Sequence, residues 1–140
     1  MPISTHALQV PMKGDSQMEN LTVSMNNILS KSGVENGILT LFVKHTTASV
    51  MIIEDEPGIR ADTQHFWNAT IPAKKNWEHN TRNAGEDNGH SHLCGQLQGP
   101  SLTIPVVQGT LTLGTWQQIV LIDFDTRART RDLVVQVMGE

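Results

Sequence analysis

The last forty residues, SLTIPVVQGTLTLGTWQQIVLIDFDTRARTRDLVVQVMGE, constrain the fold more than any other stretch. Leu102 to Val107 reads as a strand, and Gln108-Gly109 as a tight turn. Thr110 to Asp123 reads as a long strand interrupted at Gly114. Asp125-Thr126 then turns the chain into a last strand over Thr130 to Met138. β-branched and aliphatic residues dominate these runs, as pleated, half-buried surfaces require. Parallel neighbours need a crossover of a dozen or more residues, whereas turns this short join antiparallel strands. The C-terminal third therefore commits the chain to antiparallel sheet.

The rest of the chain adds helices to that sheet. Ile3 to Val10 alternates loosely and reads as a strand that ends near Pro11. Asp15-Ser16 can cap a helix, and Met18, Leu21, Met25, Ile28 and Leu29 recur at helical spacing up to a stop at Gly33. Gly37 to Lys44 (GILTLFVK) is a strand, and Val50 to Ile53 a further one after the polar junction His45-Thr46-Thr47-Ala48-Ser49. Glu54-Asp55-Glu56 and Pro57 suit the first turn of a helix that stops before Pro72. Asn88 can cap a short helix running to Leu97, broken by Gly99-Pro100. Strands at both ends with two or three helices between them predict an α+β fold. The expectation is a single sheet-rich, antiparallel, sandwich-like domain over residues 1–140.

Composition narrows the function classes. The 140 residues carry a net charge of −4, and no concentrated basic face suggests nucleic-acid binding. One cysteine excludes an intramolecular disulfide. The N-terminus lacks a signal-peptide pattern and no window is apolar enough for a membrane helix, so the reading is soluble and cytoplasmic. At 38% apolar content the chain can still form a core, and the expectation is that some apolar surface needs a partner subunit.

Six histidines are the chemically notable residues. His45 ends an apolar strand, where a rigid backbone can hold a ligand or general base; a hydrogen-bonded strand-end histidine is the plainer reading. His79 and His92 lie in a polar stretch with acidic neighbours that could orient the rings; by themselves they also fit a solvated loop. His90 and Cys94 are spaced i, i+4, a weak zinc signal. Cys94 as a nucleophile competes with a buried small side chain. His6 and His65 read as structural. Arg127, Arg129 and Arg131 alternate; extended, they share a face and could hold a phosphate, although a solvated edge strand explains such a row more simply. No P-loop, GxGxxG, HExxH or GxSxG motif is present.

Several segments together resemble the YjbQ-like family, also labelled secondary thiamine-phosphate synthase. They are Ser101 to Ile119 (SLTIPVVQGTLTLGTWQQI), His45-Thr46-Thr47-Ala48-Ser49 with Glu54, and Arg60-Ala61-Asp62 through Phe66 and Asn68 to Pro72. Glu78-His79, Asp87-Asn88, His92 and the ending Gln136 to Glu140 complete the match, which spans nearly the whole chain in order. The resemblance implies a homotrimer and a pocket where His45, His79 and His92 meet as a metal or anion site. For a metal, the three histidines favour a divalent transition metal, zinc first among the choices. Glu54, Asp87 and Asn88 would surround it as the catalytic shell. It departs from the family at Ile53, where an Asn is common, and at His90 and Cys94, which replace small or apolar residues.

The activity implied by the resemblance joins a pyrimidine pyrophosphate to a thiazole phosphate. A leaving pyrophosphate needs cationic stabilisation, for which Lys44, Arg127, Arg129 and Arg131 are the phosphate-binding candidates. Histidines suit zinc better than magnesium, so the donor set and that activity fit each other poorly. A zinc-dependent hydrolase or lyase is the alternative, with Glu54 or Asp87 as base. A non-catalytic trimer binding a metal or a small molecule is the third. All three take a small-molecule ligand, and neither nucleic acid nor membrane.

Overall fold

The structure is a computed structural model that describes residues 2–140. Eight strands and four helices follow one another along the chain. They are β1 (Ile3–Met12), β2 (Gln17–Asn20), α1 (Thr22–Ser32), β3 (Gly37–Val43), β4 (Ala48–Ile53) and α2 (Pro57–Thr70). Then come α3 (Glu78–Arg82), α4 (Gly89–Gln98), β5 (Ser101–Val107), β6 (Thr110–Leu111), β7 (Gln118–Asp123) and β8 (Arg129–Gly139). Every strand pairing is antiparallel. One sheet has the order β1-β8-β3-β5-β6, the other β2-β7-β4. The α+β, antiparallel expectation holds, with four helices rather than two or three.

Burial explains why the two sheets look different in sequence. The five-stranded sheet is covered on one face, so β8 alternates: Leu133, Val135 and Val137 are buried and Gln136 is exposed. The three-stranded sheet is covered on both. One face, with Ala48, Val50, Ile119 and Leu121, packs into the main core against Leu39, Leu41 and Val135 of the larger sheet. The other, with Met51, Val120 and Ile122, meets Trp67 of α2 and Cys94 of α4. Strand β7 is therefore a continuous apolar run, Ile119 to Ile122, with no exposed position. Trp67 also meets Phe124 edge-on, with ring centroids 4.9 Å apart.

Three sequence expectations are corrected. The helix expected from Asp15-Ser16 begins only at Thr22; Asp15 and Ser16 take positive φ in a turn, and Gln17–Asn20 pairs with β7 as β2. Met18, on the expected helical stripe, is thus a strand residue, buried beside Trp67. The strand expected over Thr110–Asp123 is two strands in different sheets, because Thr112 to Gln117 carries the chain from one sheet to the other. Strand-like residues on both sides of Gly114, alternating before it and a continuous apolar run from Ile119, concealed that change of sheet. The third concerns β8, which lies between β1 and β3 and is not an edge strand.

Helix α2 begins as its sequence suggests. Glu56 is the cap residue, and its carboxylate accepts from the Gly58 and Ile59 amides, with Pro57 in the first turn. Asn88 precedes α4 but makes no side-chain cap. Its amide is turned elsewhere, and that turn shapes the site.

Candidate functional site

Three segments meet at one end of the three-stranded sheet: the β3–β4 junction, the α3–α4 region and the β7–β8 turn. Between them lies a cavity of about 390 Å³, lined by Lys44 to Thr47, His79, Glu86, Asn88, His92, Asp125, Arg129 and Arg131. Two glycines allow the helices to come this close. A Cβ on Gly95 would sit 2.6 Å from the Thr46 carbonyl oxygen, so only glycine lets α4 lie against the β3–β4 junction. A Cβ on Gly89 would sit 2.7 Å from the Trp77 Cβ, so the start of α4 can touch the residue before α3. The His79 and His92 rings consequently lie close together, with centroids 4.5 Å apart and planes inclined by 54°.

The floor of the cavity is an ion network. Arg131 is 1% exposed and Asp123 fully buried. Arg131 Nε donates to Asp123 Oδ2 and its Nη2 to Asp123 Oδ1, both at 2.7 Å, a two-point pairing that suits guanidinium. The same Nη2 donates to Thr47 Oγ1 at 2.8 Å, and Thr47 Oγ1 donates to Asp125 Oδ2 at 2.9 Å. Arg129 Nε lies 3.0 Å from Asp125 Oδ2. Burial works against the charge on Asp125, but donation by the Thr126 amide, Asn88 and Thr47, with the nearby Arg129, holds its carboxyl below the usual value.

Above this floor the histidines are tied individually. Asn88 Nδ2 donates to Asp125 Oδ1 at 3.1 Å, and Asn88 Oδ1 lies 3.0 Å from His79 Nε2. His45 Nε2 accepts the Asp132 amide at 2.9 Å. Burial, then the positive charge of Arg131, pushes the His45 pKa down. Burial, then the adjacent His79, does the same for His92. Both rings are therefore biased toward the neutral form.

The expected site residues separate into two groups. His45, His79, His92, Asn88, Lys44, Arg129 and Arg131 all line the cavity. Glu54, Asp87 and Arg127 do not. Glu54 follows the far end of β4, six positions beyond Ala48 and so about 20 Å along the strand. Asp87 is exposed and accepts from Thr126 Oγ1 at 2.7 Å. The Arg127–Arg131 row is neither a phosphate comb nor a solvated edge: Arg131 is buried in its ion pair, Arg129 is half exposed on Asp125, and Arg127 is exposed. Cys94 is buried, and burial pushes its thiol up to about 11, which removes it as a nucleophile at neutral pH. Asp123, Asp125, Thr47 and Glu86 were missed. Asp123 and Asp125 flank Phe124 at the end of the most apolar strand, and carboxylates in such a place need buried partners.

The three rings do not form a metal-binding triad as they stand. Among the described residues no group of three or more His, Cys, Asp or Glu side chains is arranged to hold an ion. The geometry gives one reason: the His45 Nε2 lone pair already accepts the Asp132 amide hydrogen. The donor set suits zinc by type, but the His45 Nε2 lone pair is already engaged by a backbone amide.

An antiparallel two-sheet α+β domain with a histidine-lined polar cavity at the end of its smaller sheet defines the class. Residues 6–140 match the family described as UPF0047 protein YjbQ-like, and the chain belongs to that family. A UPF0047 protein of Methanothermobacter thermautotrophicus is 32% identical over 140 residues, covering 99% of this chain and 95% of the relative. The UPF0047 protein YjbQ of Salmonella typhimurium is 37% identical, covering 76% of this chain and 77% of its own. Among solved structures, a hypothetical protein of Aeropyrum pernix superposes with a TM-score of 0.90 at 34% identity, covering 98% of this chain and 99% of that one. A YjbQ-like protein of unknown function from Sulfolobus solfataricus has a TM-score of 0.89 at 29% identity, covering 99% and 100%.

Proposed function

We propose that the cavity binds a small phosphorylated substrate and that the chain is a transferase of the thiamine-phosphate synthase kind, joining a pyrimidine pyrophosphate to a thiazole phosphate. One observation carries this reading: Lys44, Arg129 and three histidines converge on a single polar cavity. Lys44 is the lining cation that has no carboxylate partner among the described residues, since Arg129 and Arg131 are paired. It is the group free to meet a phosphate, and Arg129, at the rim, is the second. A leaving pyrophosphate is stabilised by such fixed cations and hydrogen-bond donors. The thiazole nitrogen bonds to the pyrimidine methylene carbon as the carbon–oxygen bond to pyrophosphate breaks. No proton moves in that exchange, and histidine N–H groups can hydrogen-bond the departing phosphate oxygens.

The zinc-dependent hydrolase or lyase is the second reading, favoured by the close His79 and His92 rings. It requires His45 to release the Asp132 amide. The homotrimer implied by the resemblance would draw on the outer face of the five-stranded sheet, where Ile3, Phe42 and Val107 are exposed. Sedimentation of the purified chain tests that.

The deciding experiment measures pyrophosphate binding by calorimetry and turnover of the two thiamine precursors, with wild type and Lys44→Ala. Removing a cation that meets phosphate should weaken binding by about ten-fold or more. Equal binding by both proteins would end the phosphorylated-substrate reading. Elemental analysis of the same sample separates the second reading: about one transition metal per chain, lost in His92→Ala protein, would favour it over the first.

A further inference from the structure

His45 and His79 both line the cavity, and each has one ring nitrogen whose partner leaves no choice of protonation. A backbone amide can only donate. The nitrogen that accepts from Asp132, His45 Nε2, must therefore be bare, and the proton of the neutral ring sits on Nδ1. Asp132 Oδ2 lies 3.7 Å from the same nitrogen, too far to compete as an acceptor.

The case of His79 needs one more step. Asn88 presents either an oxygen or an NH₂ to the ring, and its other partner decides which. That partner is Asp125 Oδ1, an oxygen of a carboxylate that also accepts from the Thr126 amide. Asn88 must turn its NH₂ toward Asp125, which leaves its oxygen to face His79 Nε2. His79 Nε2 is then the donor and Nδ1 the bare nitrogen. Asn88 is 4% exposed and Asp125 1%, so water does not offer either an easy substitute. No buried unpaired atom among the described residues belongs to either ring, so both Nδ1 atoms remain open.

We infer that the cavity holds two histidines in opposite tautomers: His45 locked by the Asp132 amide with its proton on Nδ1, and His79 locked by the Asp125–Asn88 pair with Nδ1 bare. Asn88 is then a positioning residue, acting on a ligand only through His79. It also explains why Asn88 leaves α4 uncapped: its side chain is committed to the ring and the carboxylate.

The two open Nδ1 atoms differ in kind, one a donor and one an acceptor. A ligand matched to both offers an acceptor oxygen and an acidic proton, as a monoprotonated phosphate does. This consequence for the ligand rests on the phosphorylated-substrate reading; the tautomer assignment does not.

Long-range ¹H–¹⁵N spectroscopy of the full chain labelled at histidine tests both. The spectrum is taken at about pH 8, above the usual histidine range, and assigned with His45→Gln and His79→Gln. His45 should show the Nδ1–H pattern, and His79 the Nε2–H pattern with a slowly exchanging proton. In Asn88→Ala protein that proton should exchange about ten-fold faster, the loss of roughly one hydrogen bond, while His45 is unchanged and reports the intact fold. A wild-type His79 protonated on Nδ1, or a His45 protonated on Nε2, overturns the assignment even where the variant does not fold. So does His79 Nε2–H exchange that is indifferent to Asn88. Inorganic phosphate added to the wild type should shift both rings. Phosphate without effect, on rings in the stated tautomers, overturns the ligand half alone.

Discussion

Each end of the three-stranded sheet carries an arginine bound to an aspartate, and the two pairs have little else in common. At the β7 exit, Arg131 and Asp123 are 1% and 0% exposed and form the floor of the cavity. Near the β7 entrance, Arg60 and Asp55 are 37% and 12% exposed, with Asn20 bridging Asp55 to Gln118. The surface pair fastens the start of α2 to the β2 backbone, where Arg60 donates to the Met18 carbonyl at 3.0 Å. The buried pair holds apart three segments that would otherwise need apolar filling. The same chemistry thus fastens a helix at one end and keeps a polar cavity open at the other.

The comparison breaks most readily at Arg131. Arg131→Met should lower stability by about 3–5 kcal/mol, because Asp123 stays buried without its counter-charge. Urea unfolding of the variant checks this. Replacing Asp123 by Leu as well should recover much of the loss, since a buried ion pair exchanged for apolar groups is often neutral. A single-variant loss below about 1 kcal/mol would make the buried pair no different from the surface one.

Close approach is the second asymmetry. Gly95→Ala places a methyl 2.6 Å from the Thr46 carbonyl oxygen, and backbone there cannot yield cheaply. A loss of about 1–3 kcal/mol is expected. His92, three residues earlier on α4, should shift away from His45 in the same variant. Thermal unfolding reads the first effect and histidine chemical shifts the second. Unchanged shifts would mean that α4 is not what sets the width of the cavity.

Much of this was legible in the sequence, and the failures share a cause. β3, α2, β5 and β8 were read from period and turn chemistry, which are local. The α+β class followed from turns too short for crossovers. What was missed depends on which surface covers an element. Met18 suits a helical stripe as well as a strand, and only pairing with β7 decides between them. The Arg127–Arg131 row looked like an exposed comb because nothing in its own segment names Asp123 as the buried partner. Glu54 was carried to the site by its position in a motif, but β4 runs away from the cavity. His45, His79, His92, Asn88 and Lys44 do lie together, although no spacing in the chain required it.

Acid should separate the two ends without any mutation. His45, His90 and His92 have their pKa values pushed down, in each case first by burial. A histidine depressed in the folded state binds its proton more readily when unfolded. Stability from these groups is therefore full above the ordinary histidine value near 6.5 and is lost as pH falls through it toward their folded values. All three lie on or next to the cavity. At the other end, the hydrogen bond from Arg60 outweighs burial and holds the Asp55 carboxyl down. Its contribution persists until pH falls below the ordinary carboxylate range, where Asp125 is lost too. Amide exchange followed from neutral to mildly acid pH should loosen α4 before α2. Simultaneous loosening would show that the histidines do not report on the cavity end alone.

The smallest effect sharpens the comparison from the other side. Arg60→Ala removes a two-point pair, Nε and Nη2 on Asp55, together with the bond to the Met18 carbonyl. Water reaches the guanidinium, so the screened pair should be worth only about 0.2–1 kcal/mol. Asp55 keeps Asn20 as a donor at 2.9 Å and does not become a stranded charge. Denaturant unfolding should show a small shift in midpoint with an unchanged slope. The cavity should be untouched, because Arg60 acts at the β7 entrance and the histidines gather beyond its exit. If Arg60→Ala proved as damaging as Arg131→Met, solvent exposure would not be what distinguishes the two pairs, and the α2 attachment would have to contribute to the stability of the whole sheet.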